Sequence, residues 1–184
     1  RSRFADISNW KWNMTVVKLC GIIDEEDAKI AAQAGADYVG IVLSNQYSRF
    51  IPLEKAREIV KVIEGEGSEA VGVFFDDPLP VIGDWADKLK LPWVQLLSPL
   101  RKQELKELDF VKKMLSIPIG YDGLYEARDY EIDEESEWWL YDGSRPGSGK
   151  SFNWDVFERV EKGHWMLAGG LTPENASTAI QQLK

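Results

Sequence analysis

Short apolar runs alternate along the chain with amphipathic, charge-rich segments, and this alternation predicts strands each followed by a helix. The first pair is a strand over residues 16–20, a turn at Gly21 and a helix over residues 24–33. Asp24 is placed to cap that helix, Glu25 and Glu26 suit its positive start, and Ala28, Ile30, Ala31 and Ala32 form its small apolar side. The second pair is a strand over 38–43, a polar loop over 44–50 and a helix over 52–63 opened by Pro52. A third strand over 70–75 ends in Asp76-Asp77-Pro78 and precedes a helix over 81–89. The fourth pair is a strand over 93–97 and a helix over 101–108.

A fifth strand falls within 110–119, although Lys112, Lys113 and Pro118 interrupt its apolar character, and a short acidic helix-like stretch lies near 124–130. The sixth strand covers 138–142, followed by a glycine-rich loop over 143–150 and a helix from Asn153 or Trp154 to about Val160. The seventh covers 165–168 and ends in Gly169-Gly170-Leu171, with Thr172 and Pro173 opening a helix that runs to Leu183. The pattern is that of an α/β protein with a parallel sheet. Seven βα units are legible, whereas a closed barrel of such units needs eight and about 250 residues, so the pattern alone fits either an open doubly wound sheet or a barrel whose last unit is absent or moved.

Composition narrows the function classes. The chain has 184 residues, 44% of them hydrophobic, enough for one well-buried domain. Lys and Arg number 22 against 31 Asp and Glu, a net charge of -9, which disfavours a nucleic-acid partner. Cys20 is the sole cysteine and His164 the sole histidine, so neither a disulfide nor a thiolate or histidine zinc set is expected, and no metal or cofactor is assigned. No apolar run approaches the length of a membrane span, residues 1–14 lack the apolar core of a secretory leader, and a cytoplasmic location is expected.

In a parallel βα architecture functional groups gather at the carboxyl ends of the strands. Cys20 closes the first strand beside a glycine, and the residues alone leave two readings: a small buried hydrophobe, or a thiolate acting as base or nucleophile. Asp142 ends the aromatic run Trp138-Trp139-Leu140-Tyr141 and reads either as a general acid or as a turn-capping aspartate. Gly169-Gly170-Leu171 before a capped helix has the construction of a phosphate site. Gly147-Ser148-Gly149-Lys150-Ser151 resembles a nucleotide-binding loop only superficially, because Ser144 stands where the pattern needs a glycine. A mobile lid suits that loop better. Most tryptophans read as core, and His164 as structural.

Five motifs then agree. Val17-Lys18-Leu19-Cys20-Gly21, Gly35-Ala36-Asp37-Tyr38-Val39-Gly40, Val94-Gln95-Leu96, Leu140-Tyr141-Asp142 and Leu167-Ala168-Gly169-Gly170-Leu171-Thr172-Pro173-Glu174-Asn175 together resemble phosphoribosylanthranilate isomerase in order and spacing. The resemblance implies a (β/α)8 TIM barrel that catalyses a cofactor-independent Amadori rearrangement in tryptophan biosynthesis. It implies Cys20 as general base, Asp142 as general acid, Arg49 as partner of the anthranilate carboxylate, and Gly169, Gly170 and Leu171 as holders of the phosphate. The implied partner is a small phosphosugar, for a monomer or homodimer, with fusion to a neighbouring pathway enzyme as a further expectation.

Two departures stand out. Leu97 and Ser98 replace the His-Gly that often follows Val-Gln-Leu in the family. The eighth βα unit does not follow Lys184, and a faint echo of its strand lies at Phe4-Ala5-Asp6-Ile7-Ser8-Asn9. The expected organisation is therefore an extension over 1–13, a displaced strand or a tag, and a barrel domain over 14–184 whose eighth unit is absent from this sequence or moved to its N-terminus. A reading from another class is an inactive, truncated or permuted relative that at most binds a phosphosugar.

Overall fold

A computed structural model describes residues 15–97, 102–120, 137–143, 153–159 and 164–183. The elements in order are β1 (Lys18–Cys20), α1 (Glu25–Gln33), β2 (Tyr38–Val42), α2 (Leu53–Gly65), β3 (Glu69–Phe74), α3 (Leu79–Leu89), β4 (Trp93–Leu96) and α4 (Lys102–Leu105), which runs on into a 3-10 turn at Lys106–Leu108. There follow β5 (Lys112–Ile119), β6 (Glu137–Gly143), a 3-10 segment at Trp154–Arg159, β7 (Trp165–Leu167) and α5 (Pro173–Gln182). They group into two compact units that divide between Lys113 and Met114.

In the first unit β1, β2, β3 and β4 lie side by side in chain order, all parallel. Cys20 stands opposite Gly40, Val42 opposite Val73, and Phe74 opposite Leu96. All of β2 is buried, as its unbroken apolar run requires of a strand covered on both faces. The Asp24 carboxylate accepts the Asp27 N–H at 2.8 Å and starts α1. In α2 the buried positions Ala56, Ile59, Val60 and Ile63 repeat at three and four residues and form one stripe against the sheet.

Several boundaries differ from the sequence pattern. Ile30 does not join the apolar side of α1; it is 58% exposed, and Ala28, Ala31 and Ala32 alone are buried. α3 begins at Leu79 rather than Val81, because Pro78 takes the extended cap position and Pro80 fits the first turn, where no backbone donor is needed. The fourth helix is one short turn that tightens into a 3-10 turn. At the amino ends of the strands, Tyr38 packs edge-on against Trp93, whose indole N–H donates to Glu69 while the Lys112 ammonium lies over its ring at 5.2 Å. Burial, and then the charges of Glu69 and Asp37, push the Tyr38 hydroxyl well above its ordinary range.

In the second unit β6 and β7 pair in parallel, with Trp139 opposite Trp165 and Tyr141 opposite Leu167. Its core is Ile117, Ile119, Tyr141 and Phe157, with Trp139, Trp154, Trp165, Leu167 and Leu183 packed around them. Phe157 stacks on Trp165 with ring centroids 5.0 Å apart. The helix expected from residue 153 or 154 to 160 is a 3-10 segment instead. Trp154 and Phe157, three residues apart, both pack in this aromatic core, and a repeat of three residues per turn aligns them. His164 stacks on Trp138 with ring centroids 5.2 Å apart.

Pro118 is tolerated within β5 with its ring exposed, while Lys113 to Ile117 are buried. The extension over 1–13, the acidic stretch over 124–130 and residues 144–150 of the glycine-rich loop lie outside the described residues. Among the described residues no helix is long and apolar enough to cross a membrane.

Candidate active site

The first cluster forms at the carboxyl ends of β1 and β2. Cys20 is the last residue of β1, and its side chain is exposed, which removes the reading of a buried hydrophobe. It lies over Gly40 on the neighbouring strand: a Cβ there would come 2.8 Å from the sulfur and 3.0 Å from Lys18 Nζ. Gly40 therefore leaves room for the Cys20 thiol and the Lys18 ammonium on one face of the sheet. The chain then turns at Gly21, where φ is +87°, a backbone shape glycine adopts without strain.

Gly21 has a second reason to lack a side chain. A Cβ at this position would overlap the guanidinium of Arg49. Arg49 reaches across from the β2–α2 loop and donates from Nη1 to the Cys20 carbonyl oxygen at 3.4 Å. Two of the residues singled out by sequence are thus brought together, the Arg49 side chain on the Cys20 backbone, although they lie 29 positions apart. The loop carrying Arg49 is compact: Tyr47 N–H donates to Ser44 O, Phe50 N–H to Tyr47 O, and Ile51 N–H to Val42 O. Desolvation, then the carboxylates of Asp76 and Asp77, push the Tyr47 hydroxyl up from its ordinary value.

The second cluster forms at the carboxyl ends of β6 and β7. Ala168 N–H donates to Tyr141 O at 2.7 Å and fixes the exit of β7 beside Asp142. The chain then passes through two glycines with positive φ, Gly169 at +89° and Gly170 at +67°. A Cβ on Gly169 would stand 2.7 Å from Asp142 Oδ1 and 2.7 Å from the Gly143 nitrogen, so the bare glycine leaves the room that the candidate acid occupies. Oδ1 of Asp142 is sealed from solvent. Leu171 follows, 41% exposed, ahead of α5.

One residue here was quoted in a sequence motif without being given a role. The Asn175 side chain accepts the Thr172 N–H at 2.7 Å and donates to the Gly170 carbonyl at 2.8 Å, so it laces the glycine turn to the first turn of α5. A Thr-Pro-Glu-Asn run at a helix start carries that signal, since a side chain three residues into a helix can reach back to the cap. A hydrogen bond from the Thr172 hydroxyl holds the Glu174 carboxyl below its usual value. Among the described residues no group of three or more His, Cys, Asp and Glu side chains could hold a metal ion. Leu97, at the departure from the family motif, directly follows β4 with its N–H on Phe74 O at 3.0 Å; Ser98 lies outside the described residues.

Parallel strands in each unit, with their polar side chains collected at the carboxyl ends, define the βα class of proteins that handle small ligands at strand ends. Within that class, the profile described as "PRAI: N-(5'phosphoribosyl)anthranilate (PRA) isomerase" matches residues 17–184. The chain belongs to the phosphoribosylanthranilate isomerase family. It is 34% identical to N-(5'-phosphoribosyl)anthranilate isomerase 1, chloroplastic, of Arabidopsis thaliana, over 92% of this chain and 63% of that protein. It is 32% identical to the N-(5'-phosphoribosyl)anthranilate isomerase of Chlamydia felis over 91% of this chain and 81% of that one.

Among solved structures, phosphoribosyl anthranilate isomerase from Thermus thermophilus superposes with a TM-score of 0.77 at 30% identity, over 91% of this chain and 82% of that one. A phosphoribosyl anthranilate isomerase in complex with reduced 1-(o-carboxyphenylamino)-1-deoxyribulose 5-phosphate gives 0.68 at 26% identity, over 92% and 83%. The chain thus spans less than two thirds of the Arabidopsis relative and about four fifths of the others.

Proposed function

We propose that this protein catalyses the Amadori rearrangement of N-(5-phosphoribosyl)anthranilate to 1-(o-carboxyphenylamino)-1-deoxyribulose 5-phosphate, a step of tryptophan biosynthesis. The observation that carries the reading is the Arg49 guanidinium resting on Gly21 and bonded to the carbonyl of Cys20, which sets a carboxylate-binding fork beside the candidate base. A relative that holds a reduced form of the product supports the same ligand class.

The chemistry needs an acid and a base but no external electron carrier. Asp142 gives its proton to the furanose ring oxygen, the C1–O bond breaks, and the anthranilate nitrogen lone pair forms the C1=N bond of a Schiff base. Cys20, as thiolate, takes the C2 proton, and the electron pair moves into C1=C2 to give an enolamine. Proton transfer to C1 and loss of the C2 hydroxyl proton leave the ketone, an isomer of the substrate. Arg49 holds the anthranilate carboxylate, and the backbone N–H groups of Gly169, Gly170 and Leu171 at the start of α5 hold the phosphate.

Closure into a (β/α)8 barrel with an eighth βα unit, a monomeric or homodimeric state and a cytoplasmic location belong to the same proposal. The test is a fluorescence assay following the disappearance of phosphoribosylanthranilate. Turnover that scales with protein concentration is expected; a folded protein with no turnover would refute the reading.

Lysine keeps a charge at position 49 but loses the two-pronged donor geometry. Loss of one charge-assisted hydrogen bond of about 1.5–3 kcal/mol is worth roughly 10- to 100-fold in binding. Arg49→Lys is therefore expected to raise KM by that factor with kcat nearly unchanged, read from steady-state kinetics over a range of substrate concentrations.

A further inference from the structure

Ser44 is fully buried where the chain leaves β2, and no step of the proposed reaction uses it. Its hydroxyl accepts the Phe75 N–H at 2.9 Å and donates to the Asp77 carboxylate, which also accepts the Phe75 N–H at 3.2 Å. This knot joins the root of the β2–α2 loop to the segment that follows β3. The pairing of Val42 with Val73 sets the meeting point, and the Tyr47 ring lies stacked on Phe75 with centroids 3.5 Å apart. At its other end the loop returns to β2 through the bridge between Val42 and Phe50. Arg49 sits next to that returning end and reaches to the Cys20 carbonyl.

The buried Ser44 hydroxyl is hydrogen-bonded on both its donor and its acceptor side, so its burial is compensated and the pair ties the loop root to the end of β3. Five residues, 45–49, lie between the fixed ends Ser44 and Phe50, and a long side chain aimed from such a loop holds its direction only if both ends are held.

We propose that the Ser44–Asp77 pair is a positioning device that aims Arg49 at the mouth of β1, and so sets the affinity for the carboxylate end of the substrate. The kinetic half of this inference rests on the function proposed above; the positional half does not. Ser44→Ala removes both bonds that cross between the two segments, Asp77→Ala removes the bond from the hydroxyl to the carboxylate and with it the hold on the hydroxyl's direction, whereas Asp77→Asn keeps an acceptor oxygen for both donors.

The experiment has two arms. In the free protein, amide hydrogen exchange over residues 44–51 and the rate at which phenylglyoxal modifies Arg49 are compared among the parent and the three variants. Both alanine variants should speed each about tenfold, the worth of a hydrogen bond to a charged group, with exchange in α2 and β3 unchanged and the asparagine variant close to parent. In the second arm KM for phosphoribosylanthranilate should rise about tenfold with kcat within roughly threefold, again restored by asparagine. Unchanged exchange and modification, acceleration spread over the whole first unit, or an asparagine variant as loose as alanine would overturn the proposal. A loss confined to kcat would overturn it too. A parent without turnover sinks the reaction assignment alone, and the first arm still decides whether the knot aims Arg49.

Discussion

Exchanging Cys20 for serine is expected to lower kcat by about 10²- to 10⁴-fold, the range supplied by a single positioned acid or base, and to leave the fold intact. The exchange is nearly isosteric, and the side chain is already exposed at the end of β1, so no core contact is lost. What changes is the ease of forming the anion: a hydroxyl keeps its proton in the pH range where a thiol can give it up. Asp142→Asn is the companion experiment. The amide preserves shape and hydrogen-bonding capacity but has no acidic proton to give to the ring oxygen, and a loss of the same order is expected. Initial rates, with circular dichroism as the control for folding, measure both. If either variant keeps near-parent turnover, the acid and base roles assigned here are wrong.

The second large effect concerns Gly169. Alanine there meets two independent obstacles. The left-handed backbone at φ +89° costs an L-residue about 1–2 kcal/mol. The added methyl would also press on Asp142 Oδ1, which must then swing away, and on the Gly143 nitrogen, a backbone atom that cannot, each 2.7 Å away. Gly169→Ala is therefore expected to reduce kcat by at least about tenfold, because a displaced acid no longer meets its proton acceptor at bonding distance. Gly170→Ala, at φ +67°, is the contrast: it carries backbone strain and should act mainly through KM, by tilting the N–H groups offered to the phosphate. Equal effects of the two substitutions on kcat would show that the crowding of Asp142 has no catalytic consequence.

The alternation of apolar runs with helical segments made the parallel α/β plan legible, because each signal depends on residues close in sequence. Thr172, Pro173 and Asn175 announced the start of α5 for the same reason. What escaped depends on partners far along the chain. Ile30 has the right period for the buried side of α1, yet it faces solvent, since only packing decides which edge of a narrow apolar stripe is covered. Residues 154–159 have helical composition, but the aromatic core that takes up Trp154 and Phe157 selects the tighter turn.

The candidate site was legible as residue types and only partly as geometry. Cys20, Arg49, Asp142 and the glycine pair could be singled out because they end strands or follow them. That Gly21 clears space for Arg49, or that Gly169 clears space for Asp142, follows from strand register and loop path, which no local pattern encodes. The Ser44–Asp77 knot spans 33 residues and forms because β2 and β3 end side by side.

The resting place of Arg49 has a thermodynamic corollary. An arginine free to sample its rotamers loses up to about 2 kcal/mol of side-chain entropy when a ligand immobilises it. Here the guanidinium lies docked on bare backbone before any ligand arrives, so much of that ordering is met during folding. An incoming carboxylate need only displace one long, weak bond to a carbonyl, and more of its Coulombic attraction is left over as affinity.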